Sequence, residues 1–182
     1  MIVLNSDVDI KIAGDKPSKD IFKSTDTFVN AEEIDKKTAQ NAKLWGKEVA
    51  LKFIEDAKES QNSGNDYVEM LVQRCMLLSF TATAGFEIMS ENDTISGIAQ
   101  KSFIDTLKND APDIYASTAD TGAYSFYFLA FRRGGEIERR IGQTFAMLCS
   151  HDGDPIFQEL GEALYCWFLS VIKSLAKQFN IL

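Results

Sequence analysis

The chain has 182 residues, 45% hydrophobic, 25% charged and 11% aromatic, the proportions of one ordinary globular domain whose core forms without disulfides or a structural metal. Its 27 acidic residues against 19 basic give a net charge of −8. That field repels phosphate backbones and anionic lipid headgroups, and so argues against nucleic acid and membrane as general partners.

Cys75, Cys149 and Cys166 are odd in number and far apart in apolar stretches. They read as small buried hydrophobes of a reducing compartment rather than a disulfide framework. The opening Met-Ile-Val-Leu-Asn-Ser-Asp has no basic n-region, unlike a secretory signal, and a cytoplasmic address is the expectation. The most apolar windows, Met70 to Met89 and Leu164 to Leu182, carry Arg74 and Glu87, and Lys173 and Lys177. Neither reads as a membrane span.

Within residues 1–29, Val8, Ile10 and Ile12 alternate with Asp7, Asp9 and Lys11 until Gly14 and Pro17 intervene. This period of two predicts a short strand in an N-terminal β-like arm. An ordered arm lying across helices is the alternative.

Residues 30–182 read as a single helical domain. Asn30 with Glu33, and Asp66 with Glu69, place an N-cap residue three before an acid, the pattern that satisfies orphan amides at a helix start. The first helix is expected from about Ala31 to Ser60, burying Trp45, Val49, Phe53 and Ala57. Ala42, Gly46 and Ala50 beside that stripe permit close backbone approach. The second, about Asp66 to Met89, is apolar nearly all round and therefore central. Arg74 and Glu87 interrupt it about 20 Å apart, too far to pair with each other, and the expectation is a narrow exposed edge for both. A third helix, about Asp93 to Lys108, repeats Ile95, Ala99, Phe103 and Leu107, and Asp110-Ala111-Pro112-Asp113 ends it.

The run Tyr124 to Phe131 suits either a buried strand or a buried helix. Its flanks, with Asp120 as a cap, favour helix. Gly134-Gly135 breaks it, and Ile137, Ile141, Phe145 and Leu148 mark the next amphipathic helix. Asp154-Pro155 supplies an N-cap and an N1 proline for a last helix whose apolar stripe is wide enough that it is buried or dimerises. The expected architecture is all-α, a compact bundle of five to six helices with the N-terminal arm outside.

Two groups of residues stand out as candidate sites. Arg132, Arg133, Arg139 and Arg140 are four of the five arginines, and they flank Gly134 and Gly135 ahead of a helix start. Guanidiniums beside unpaired amides suit an anion or an acidic partner. The competing reading is a self-satisfied cluster, with Glu136 paired to Arg140 and Arg132 and Arg133 complementing a helix C-terminus. The second group, Phe126, Phe131, Trp167 and Phe168, suits an apolar pocket or an oligomer interface.

No catalytic constellation, cofactor motif or metal set emerges. His151, the single histidine, lies in Cys149-Ser150-His151-Asp152, but chain neighbours in a turn seldom converge as nucleophile, base and orienting acid. Asp152-Gly153-Asp154 lacks the spaced ligands of a calcium loop. The leading functional reading is a non-enzymatic interaction or regulatory module, a homo-oligomer or the binder of a protein partner. The alternative is a binder of a small anionic or acyl ligand, held by the aromatic group and the arginine turn.

Overall fold

A computed structural model of the chain describes residues 34–63, 68–118 and 121–182. The expected arm at 1–29, its strand, and the Asn30 and Asp66 caps lie outside those residues. Among the described residues every regular element is a helix: α1 (Lys36–Ser63), α2 (Val68–Met89), α3 (Asp93–Asp110), α4 (Pro112–Ser117), α5 (Thr121–Arg132), α6 (Ile137–Leu148) and α7 (Pro155–Gln178).

Seven helices correct the expected five to six, and α4 accounts for the difference. Pro112 ends α3, but it also opens a new turn at N1, where its missing N–H is no loss and its fixed φ already suits a helix. Helix starts follow local capping chemistry. Asp35 accepts from the amides of Lys37 at 2.7 Å and Thr38 at 3.0 Å, which begins α1 later than the expected Ala31. Asn92 accepts from Thr94 and Ile95 at the start of α3. Asp154, the N-cap the sequence predicts ahead of Pro155, accepts from Ile156 at 2.9 Å.

Helix α2 is central, touching each of the other six helices. It buries Met76, Leu77, Leu78 and Phe80, which point to different sides, as the all-round apolar pattern requires. Helices α1 and α3 pack closely at Gly46, which has the backbone of Ala99 directly over it. The Ser102 hydroxyl on α3 donates to the Lys43 carbonyl at 2.8 Å. Helix α7 lies against α6, α2 and α1. Trp45 of α1 donates its indole N–H to the Ile172 carbonyl of α7 at 3.1 Å, so a fully buried ring keeps its polar tip satisfied.

Aromatic side chains form two groups. The first runs from Trp45 through Phe86, Phe103 and Phe53 to Phe168, with successive centroids 4.8 to 6.3 Å apart. The second surrounds Phe80 of α2 and joins it to Tyr124, Tyr127 and Phe131 of α5. Offset and edge contacts of this kind add to the stabilisation from burial. The second group fixes which side of α5 faces inward, and so which side faces out.

Two expectations about single residues are corrected here. Arg74 is not on an exposed edge: its guanidinium donates to both Asp56 carboxylate oxygens, at 2.9 and 2.7 Å, a bidentate pair between α2 and α1 with side chains 20% and 13% exposed. Cys75 and Cys149 are buried as expected, whereas Cys166 is exposed on α7.

Candidate functional site

The arginine turn is built by two left-handed glycines. Gly134 and Gly135 have φ of 64° and 71°, conformations that cost a residue bearing Cβ, and they reverse the chain between α5 and α6. The Ile137 amide closes back on the Gly135 carbonyl at 2.8 Å. Glu136 caps α6 by position alone, with no side-chain capping bond.

Its four guanidiniums have different surroundings. Arg140 donates to the Gly134 carbonyl at 2.5 Å. Glu136 pairs with Arg139 at 3.2 Å, one position short of the Arg140 expected from i,i+4 spacing, because Arg140 is turned back onto the glycine turn. Arg132 lies over the Phe128 ring, 4.5 Å from its centroid, a cation–π contact. Arg133 is exposed, and its side chain makes no hydrogen bond or ion pair among the described residues.

The four candidate rings do not share one environment. Phe168 is in the core against Phe53, and Phe131 packs edge-on to Phe80. Trp167 sits beside Phe168 on α7 with much of its ring exposed. Phe126 is exposed on α5. Two surface clefts are present elsewhere, one of 540 Å³ between α1 and α3 lined by Lys43, Lys47, Asp105 and Asp110, the other of 320 Å³ beside Arg74, Cys75 and Ser117. Neither is lined by a candidate ring or by the arginine turn.

The surface of α5 is the unusual one. Phe126 is 49% exposed, Leu129 54% and Phe128 36%, on a helix of only twelve residues. At about 100° per residue Phe126, Leu129 and Arg133 fall within roughly 60° of one another, with Phe128 and Arg132 along one flank. Single exposed hydrophobes are common, but three large ones on one short helix are not. Helix α5 contains no acidic residue. Glu87 of α2 interacts with Arg132 at its flank: the Glu87 carboxyl is pushed up by partial burial and by Asp93, while Arg132 pulls it down.

Sequence reasoning identified Phe126, Arg132 and Arg133 but missed Phe128 and Leu129. A run of seven aromatic and aliphatic residues broken by one serine has no polar face to mark its outside. The inward side is set by Phe80, which lies on another helix.

His151 stacks on Phe157 with ring centroids 3.8 Å apart, and its Nδ1 is 3.9 Å from an Asp154 carboxylate oxygen. The neighbouring Cys149 thiol is buried while the imidazole is exposed. Among the described residues no group of three His, Cys, Asp or Glu side chains is placed to hold a metal, and no helix is long and apolar enough to cross a membrane. The chain matches no family model, no curated protein and no solved structure.

Proposed function

We propose that the chain is a protein-interaction module that takes a protein partner on the outer face of α5. The observation that carries this reading is the exposure of Phe126, Phe128 and Leu129 on one short helix whose other side is fixed in the core. Aromatic side chains with an adjacent arginine are the groups that dominate protein–protein binding energy. Burial of Tyr127 and Ala130 on the inner side holds the face rigid, so little ordering entropy is lost on docking. The small-ligand alternative has less behind it, since its four rings are divided among separate surroundings.

The test replaces Phe126 with the photo-crosslinking residue benzoylphenylalanine, and compares it with the same residue at exposed Glu59 on α1 in the cells that make the protein. The reading predicts a discrete crosslinked protein from position 126. Once identified and purified, that protein should bind the unmodified chain and bind the Leu129→Ser variant about tenfold more weakly. Equal crosslinking from both positions removes the reading.

A further inference from the structure

Resting on that reading, we infer that the partner presents an acidic amphipathic segment, with apolar side chains seated on Phe126 and Leu129 and carboxylates directed at Arg133 and Arg132. The argument is charge complementarity. Helix α5 has no acid of its own, and its exposed centre line leads from apolar Phe126 and Leu129 to the exposed Arg133, whose side chain has no hydrogen-bond or ion-pair partner among the described residues. Arg132 flanks that line, fixed in direction by the Phe128 ring. In a chain of net charge −8 this face is locally apolar and positive, so it attracts an acid-bearing surface that the rest of the molecule repels.

Two other occupants suit it less. A second copy docked face to face sets one acid-free α5 against another, because an isologous contact repeats the same patch on both sides. Its arginines then meet either each other or the positive N-terminal end of the partner helix. An anionic bilayer matches the local chemistry but faces the overall negative charge, and one twelve-residue helix with its inner side committed to the core offers little insertable area.

The experiment measures binding of the full chain to three labelled synthetic peptides by fluorescence anisotropy. One carries leucines at i, i+3, i+4 and i+7 with glutamates elsewhere, a second exchanges the glutamates for lysines, and a third exchanges the leucines for serines. The acidic amphipathic peptide should bind at least about tenfold more tightly than either sister. Leu129→Ser should weaken it about tenfold, and Arg133→Glu by about threefold or more with a flatter salt dependence. Both positions are exposed, so unchanged melting curves confirm the folded state of the variants.

Equal affinity for acidic and basic peptides, or binding indifferent to Leu129→Ser and Arg133→Glu, overturns the inference. So does self-association that Leu129→Ser abolishes, or tighter binding to vesicles of phosphatidylserine and phosphatidylcholine that Arg133→Glu abolishes. If position 126 crosslinks a protein partner while the acidic peptide fails to bind, the partner chemistry falls and the interaction reading stands. If position 126 crosslinks nothing beyond the control, the interaction reading falls with it.

Discussion

Tyr127 is fully buried and stacks on Phe80 with ring centroids 5.5 Å apart, yet its hydroxyl has no hydrogen-bond partner among the described residues. A buried hydroxyl without a partner costs its desolvation and gains nothing in return. Tyr127→Phe keeps the ring and removes that cost, so stability in urea denaturation should rise by up to about 1 kcal/mol. A loss above that size would mean the hydroxyl is satisfied after all. The Arg74–Asp56 pair behaves oppositely. Both side chains are largely buried, and the bond is bidentate. Asp56→Ala should therefore cost about 1 to 3 kcal/mol, less than a fully buried pair because some solvent reaches it. The sequence marked Arg74 as an anomaly in an apolar helix but not its partner. Asp56 lies on the preceding helix, and its reach to Arg74 depends on how α1 and α2 are packed.

At the scale of elements, what was legible followed period and capping. The buried stripes of α1 and α3, the all-round apolar α2 and the capped start of α7 all have sequence periods that survive packing. The close approach read from Ala42, Gly46 and Ala50 is realised at Gly46, where an added Cβ would fall onto the Ala99 carbonyl oxygen. Gly97, on the exposed side of α3, has nothing within 4 Å of the same atom. Gly46→Ala should cost at least about 2 kcal/mol by forcing α1 and α3 apart. Gly97→Ala should gain about 0.5 to 1 kcal/mol by restricting the unfolded chain. Thermal melting of both variants checks the pair of signs, and equal effects would contradict the α1–α3 packing. The faces of α5 were not legible, because polarity alternates nowhere along it. The short α4 was missed because a proline that stops one helix is also a good first residue for the next.

For the whole molecule, burial of the aromatic core sets a limit on the alkaline side. Burial pushes the Tyr124 phenol up, with Thr83 hydrogen bonding partly offsetting it. Tyr127 is pushed well above the ordinary tyrosine range by burial and by nearby Cys149. Tyr165 is pushed up to about 12 by burial, then by Glu138 and Cys166. All three shifts have one sign. As pH passes the unfolded value of about 10, the unfolded chain releases these protons while the folded chain keeps them. The unfolded state then binds fewer protons, and unfolding free energy falls with rising pH. The contribution is complete below about pH 10 and is lost as pH climbs toward the folded values. The melting temperature should hold steady through neutral and mildly alkaline pH and drop steeply above about pH 10. The Tyr127→Phe variant isolates the share of that phenol: its decline should be shallower than that of the unaltered chain. Ultraviolet titration of tyrosinate supplies the second readout, with the Tyr127 phenol ionising only as the fold is lost. Parallel declines for the two chains, or full tyrosinate absorbance in a protein still helical by circular dichroism, would show that solvent reaches Tyr127, and the packing of α5 on Phe80 would have to be abandoned.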